Sequence, residues 1–148
     1  MLDTNVFSRV CDGMLPLLNK TGRRFLVTRV QADECRATCD PVRRAGLLQA
    51  IEEIAPELCQ AASFCLDIEG AGFDQAEVGD DTNQFDAMLT RLKVLDPKPP
   101  RKDKNQIRDI VIAETALKLG ATLVSDDVAL RAIMTEFGGA AVASEYLA

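Results

Sequence analysis

Short apolar segments alternate with amphipathic helical segments along this sequence, and no other feature constrains its fold as strongly. Strand-like runs occur at residues 1–3, 24–28, 121–125 and 140–143, and helical periodicity fills much of the chain between them. Strands that alternate with helices are typical of α/β proteins, in which helices cover a mainly parallel sheet. We therefore predict an α/β sandwich that forms one domain over residues 1–148, a length that suits a single domain.

The predicted helices begin and end at recognisable signals. The first is expected to have Thr4 or Asn5 as its N-cap and to run through Leu17 to a stop near Gly22. The spacing of Thr28 and Gln31 predicts a capping box for the second helix, which Pro41 ends. Further helices are expected near 42–54, 82–95, 105–119 and 128–137, with an exposed linker at 96–104 and a poorly readable stretch at 60–82 that includes a candidate strand at 64–68.

The residue types present limit the chemistry. The chain has no histidine, which excludes Ser-His-Asp and Cys-His triads. The net charge of −6 argues against a protein that coats nucleic acid through a broad basic face. No run is long and apolar enough to span a membrane, and no signal peptide is recognised. We therefore expect a cytoplasmic protein that does not associate with a membrane. We expect reduced thiols, not disulfides or a zinc site, because no C-x-x-C pair occurs among Cys11, Cys35, Cys39, Cys59 and Cys65.

Several acidic residues lie at the carboxyl ends of predicted strands or on the helices that follow: Asp3, Glu34, Asp109, Asp126 and Asp127. Ligands of open α/β sheets bind at the carboxyl ends of the strands, so these side chains could share one cleft. Two carboxylates about 4 Å apart repel by on the order of 4 kcal/mol at an effective dielectric of 20. Such a cluster needs a cation, and oxygen ligands suit Mg²⁺ or Mn²⁺.

Each of these residues also has an ordinary structural explanation. Asp3 is compatible with a turn or a cap, Glu34 with a solvated helix position, and Asp126 or Asp127 with an N-cap. Asp109 could complement the helix dipole, although a carboxylate on a helix that is apolar almost all round needs a partner. Only the joint arrangement favours a metal site.

Four segments together resemble the motifs of PIN-domain nucleases: Leu2–Phe7 (LDTNVF), Val27–Glu34 (VTRVQADE), Asp109–Ala116 (DIVIAETA) and Leu123–Asp127 (LVSDD). The resemblance covers both ends of the chain and is poor over residues 41–100. Two departures are a very short first strand, which would fit a truncated N-terminus, and Ser125 in place of threonine in the fourth motif. The resemblance implies a PIN-like three-layer sandwich with a mainly parallel central sheet flanked by helices, dependence on Mg²⁺ or Mn²⁺, and RNA cleavage by metal-activated water.

The resemblance also implies roles for particular residues. The expected catalytic residues are Asp3, Glu34, Asp109 and Asp127, with Asp3, Asp109 and Asp127 as metal ligands. The motif register favours Glu34 over Asp33 and Asp127 over Asp126. Residues expected to hydrogen-bond the ligands are Asn5, Ser125 and Asp126. Small proteins of this family are commonly toxins, which implies an RNA substrate, a cognate antitoxin and a homodimer.

Basic residues lie next to Asp109 in the sequence: Arg101, Lys102, Lys104 and Arg108. They either draw RNA phosphates to the cleft through their local field or form an ordinary solvated linker.

Two other functions stay open. A non-catalytic PIN-fold module that binds RNA or a protein would show no metal-dependent cleavage. A phosphatase-like hydrolase with Asp3 as nucleophile would need a second aspartate two residues on, where this chain has Asn5.

Overall fold

The computed structural model describes residues 1–16, 22–63, 83–100 and 103–147. Its helices are α1 (Thr4–Cys11), α2 (Arg29–Arg36), α3 (Pro41–Ile54), α4 (Gln84–Leu95), α5 (Asp103–Lys118), α6 (Val128–Glu136) and a final 3-10 helix (Ser144–Leu147). Its strands are β1 (Leu26–Val27), β2 (Glu57–Leu58), β3 (Leu123–Val124) and β4 (Ala141–Val142). The predicted α/β class is confirmed.

The strands pair in two small parallel sheets, and the first three residues of the chain connect them. β1 pairs with β2, and β3 pairs with β4. The Leu2 N–H donates to the carbonyl of Leu26 (2.9 Å), and the Asp3 N–H donates to the carbonyl of Val124 (2.9 Å). Within the described ranges, regular strand pairing is confined to these two sheets, which bears out the parallel arrangement but not a single central sheet. The connection places Asp3 beside the carboxyl end of β3.

The predicted capping box of α2 is confirmed and also fixes the N-terminal segment. The Thr28 N–H donates to Gln31 Oε1 (2.9 Å), and the Val30 N–H donates to Thr28 Oγ1 (3.2 Å). Gln31 Nε2 donates in addition to the carbonyl of Leu2 (3.0 Å). One buried side chain therefore satisfies the start of α2 and holds it against the residue that precedes Asp3.

α5 lies in the core, as its apolar composition predicts. Every residue from Ile110 to Ala116 is buried, and the surrounding core includes Met88 and Leu92 of α4 and Ile133 of α6. Full burial of a large aliphatic side chain contributes about 1.5–3 kcal/mol. This packing fixes the helix that carries Asp109.

The prediction that Thr4 or Asn5 caps α1 is wrong. The cap is Asp3, whose carboxylate accepts a hydrogen bond from the Thr4 N–H (2.7 Å). Aspartate is among the preferred N-cap residues because its carboxylate satisfies a free N–H at the helix start.

The predicted end of α1 is also wrong. The helix ends at Cys11 and does not continue toward Gly22, because Gly13 takes a left-handed backbone conformation with φ of 69° that suits glycine. Leu17 lies outside the described residues. Neither β2 nor the final 3-10 helix was predicted.

The remaining predictions concern thiols, a strand and membranes. Cys11, Cys35, Cys39 and Cys59 are free, while Cys65 and the candidate strand at 64–68 lie outside the described residues. Among the residues that are described, no helix is long and apolar enough to cross a membrane.

Candidate functional site

Asp3 is a buried carboxylate held on both of its oxygens. Oδ1 accepts from the Thr4 N–H (2.7 Å). Oδ2 accepts from Asn5 Nδ2 (2.6 Å) and from the hydroxyl of Ser125 (2.5 Å). Asn5 and Ser125 also bond to one another (3.1 Å). As predicted for Asn5 and Ser125, both side chains hydrogen-bond an acidic residue of the proposed site, and together they restrict its carboxylate to one orientation.

Glu34 comes to the same place from α2. Its Oε2 accepts a hydrogen bond from Thr4 Oγ1 (2.7 Å), so the residue that follows Asp3 holds Glu34 in place. The neighbouring Asp33 instead forms a surface ion pair with Arg36 (2.7 Å). The structure thus brings Glu34, and not Asp33, toward Asp3.

Asp127 and Asp126 face different surroundings. Asp127 is the N-cap of α6 and accepts from the Leu130 N–H through Oδ1 (3.0 Å). Asp126 pairs with Arg9 (3.0 Å) and accepts from the hydroxyl of Ser144. The hydrogen bonds from Ser144 and Arg9 lower the pKa of Asp126 despite its partial burial.

Asp126 contributes to the site only through its backbone. Its N–H donates to Asn5 Oδ1 (3.3 Å), which turns the Asn5 amide so that its NH₂ group faces Asp3. The predicted contact of the Asp126 side chain with the metal ligands is not what the structure shows, because Arg9 and Ser144 hold that carboxylate.

Asp109 lies on α5 and is partly buried. Its carboxylate forms no hydrogen bond or ion pair with any residue of the described ranges. Burial, and after it the charge of Asp3, raises the pKa of Asp109 to about 8, and the carboxylates of Asp127 and Glu34 act in the same direction. Asp109 therefore shares one electrostatic environment with the other three acidic residues.

Asp3 is perturbed by the same neighbours. Burial is the largest cause that raises its pKa to about 6. The hydrogen bond from Ser125 offsets part of that rise, whereas the carboxylates of Glu34 and Asp127 add to it. The carboxylates of Asp3, Glu34, Asp109 and Asp127, here called the acidic cluster, thus interact through charge although they come from separate parts of the chain.

The chemistry of the acidic cluster suits a hard divalent cation. Carboxylate oxygens are preferred by Mg²⁺ and Mn²⁺, and a cation would favour the ionised forms of Asp3 and Asp109 that burial and repulsion disfavour. In the part of the chain that the structure describes, no three acidic or cysteine side chains are already arranged to hold one ion. The four carboxylates interact through charge without forming a coordination site in this arrangement.

No family model, curated protein or solved structure matches the chain. The function of the acidic cluster is therefore inferred from its own residues and from the motif resemblance.

The predicted RNA-binding residues are only partly described. Arg101 and Lys102 lie outside the described residues. Lys104 is exposed, and Arg108 is half-buried with Nη1 3.5 Å from Asn105 Oδ1. Neither is among the largest causes that shift the pKa of Asp3 or Asp109.

The structure adds two polar residues that the motifs did not assign to the site. Thr4 orients Glu34, and Lys98 is the cation that lowers the pKa of Asp109 against the other influences. The role of Thr4 could have been predicted from the sequence, because Thr4 directly follows Asp3. A lysine between prolines carries no comparable signal.

Proposed function

We propose that the protein is a Mg²⁺- or Mn²⁺-dependent ribonuclease with a PIN-like fold. The observation that carries this proposal is the convergence of Asp3, Glu34, Asp109 and Asp127 in one electrostatic environment. Acidic residues without a shared function have no reason to lie close together, and the repulsion between their carboxylates would oppose such an arrangement. The bonds that join residues 1–3 to β1 and to β3 support the finer part of the proposal, because they would place this segment at the centre of a PIN-like sheet.

Different residues of the chain would contribute to cation binding in different ways. Asp3 is oriented by Asn5 and Ser125, and Asp109 offers a partly buried carboxylate that no described residue satisfies. Asp127 uses Oδ1 for its cap, which leaves Oδ2 for the cluster. When bound, such a cation activates water and stabilises the attacking and leaving oxygens of a phosphodiester.

The phosphatase alternative gains no support from the site. Both oxygens of Asp3 accept hydrogen bonds, and the Asn5 amide occupies the position of the second acid. A toxin role, a cognate antitoxin and a homodimer are further proposals that rest on the motif resemblance alone.

The test is cleavage of single-stranded RNA by the wild type, D3N and D109N, with D33N as the matched control. D33N removes an aspartate next to Glu34 whose ion pair, among the described residues, is with Arg36. Loss of a ligand should cost at least as much as loss of a residue that orients one, roughly 100-fold or more in rate, while D33N should cleave like the wild type. Absence of cleavage by the wild type at high Mn²⁺ would favour the non-catalytic module, and undiminished cleavage by either variant would remove that residue from the mechanism.

A further inference from the structure

A lysine lies beside the acidic cluster. The Nζ of Lys98 is 2.7 Å from Oδ2 of Asp96, and its side chain is only 26% exposed. Its ammonium interacts electrostatically with the carboxylates of Asp109 and Asp127. Lys98 is therefore a cation at the edge of a strongly acidic site.

The position of Lys98 is fixed by its own segment and by α5. Pro97 and Pro99 flank it, which restricts the backbone on both sides. The fully buried Gln106 of α5 donates through Nε2 to the carbonyl of Asp96 (2.6 Å). Gln106 and Asp109 are three residues apart on one helix and so lie on the same face. The linker is thus fastened to the helix surface that carries Asp109.

The ammonium of Lys98 has capacity for another ligand. A lysine ammonium has three N–H donors, and Asp96 is the only acceptor that Lys98 reaches within the described ranges. The acidic cluster by itself repels the phosphodiester that the proposed reaction requires. A lysine ammonium beside it is a suitable partner for a phosphate oxygen.

We propose that Lys98 binds a non-bridging phosphate oxygen of the RNA and positions the scissile phosphate at the acidic cluster. This inference rests on the proposed ribonuclease function. It adds a substrate-binding residue to the site and assigns Asp96 and Gln106 the role of holding that residue in place.

The inference is tested with K98M, K98R and the control K93M. Lys93 is a nearby lysine that is 45% exposed and lies 3.7 Å from Asp103. Loss of one charge-assisted hydrogen bond should lower kcat/KM for single-stranded RNA by about 10- to 100-fold in K98M. The slope of log(kcat/KM) against log[KCl] should become less negative by about 0.7, the value for one phosphate contact on a single strand. K98R should keep most of the rate and K93M should match the wild type.

A second measurement separates phosphate binding from a structural role. K98M should bind Mn²⁺ at least as tightly as the wild type in thermal melts, because the change removes a positive charge near the acidic cluster. Equal losses of rate and melting temperature in K98M and K98R would indicate a folding role and overturn the inference. A wild type that cleaves RNA, with K98M matching K93M in rate and salt slope, would also overturn it and leave the ribonuclease function standing. A wild type that does not cleave would remove both.

Discussion

Replacement of Asp109 by asparagine should flatten the pH dependence of stability. The asparagine side chain has nearly the same shape as aspartate but cannot ionise. Burial and the charge of Asp3 are the main causes that raise the pKa of Asp109 from 3.8 to about 8. Between those values the folded chain holds a proton that the unfolded chain has released, so the free energy of unfolding falls as the pH rises.

The size of the effect follows from the width of that interval. Each pH unit inside it removes about 1.4 kcal/mol. From pH 5 to pH 8, Asp109 should therefore remove roughly 3–4 kcal/mol of stability. Asp3 should add a smaller loss over the same range, because its pKa rises only to about 6.

The assay is urea unfolding in EDTA at pH 5, 6, 7 and 8 for the wild type, D109N and D33N. The difference in free energy of unfolding between D109N and the wild type should change by about 3 kcal/mol in favour of D109N as the pH rises. The free energy of unfolding of D33N should change with pH as that of the wild type does, since Asp33 forms a surface ion pair with Arg36. A D109N curve as steep as that of the wild type would refute the reasoning.

Three further outcomes are expected. The S125A variant should lose about 1–3 kcal/mol in urea unfolding at pH 7, because the buried Asp3 carboxylate loses a donor; unchanged stability would contradict the 2.5 Å bond. A fixed Mn²⁺ concentration should raise the melting temperature more at pH 8 than at pH 6, since Asp3 and Asp109 must release protons to bind it; equal gains would count against these ligands. In the G46A variant the new Cβ would lie 2.6 Å from Cys11 Sγ, at a cost of about 1–3 kcal/mol that the roughly 1 kcal/mol gain in helix propensity over glycine partly offsets; in urea unfolding the G46A change should therefore cost less stability in a C11A background than in the wild type, and an equal cost in both would rule out that contact.

Elements fixed by local chemistry were predictable from the sequence. The capping box of Thr28 and Gln31 and the buried face of α5 each depend on residues within a few positions of one another. Pro41, predicted to end α2, instead begins α3, and α2 ends at Arg36. β2 was not predictable, because its two residues, Glu57 and Leu58, are both exposed and form no apolar alternation. Its pairing with β1 is a tertiary contact that leaves no local pattern.

The site shows the same division. The motif register favoured Glu34 over Asp33 and Asp127 over Asp126, and Glu34 and Asp127 are carboxylates whose charges raise the pKa of Asp3 and of Asp109. Lys98 could not be found in this way, because its nearest partner is two residues away and its approach to α5 depends on Gln106 and the backbone of Asp96. A bond between a buried amide and a distant carbonyl has no signature in the sequence.

The bond between Asp3 and Ser125 joins positions separated by 122 residues. During translation, at about 5–20 residues per second, the ribosome needs roughly 6–24 s to synthesise that interval. During that time the nascent chain has Asp3 and, after the first part of the interval, Glu34, but it lacks Ser125 and Asp127, so the acidic cluster cannot be completed. Its assembly consequently has to wait until Asp127 has been synthesised.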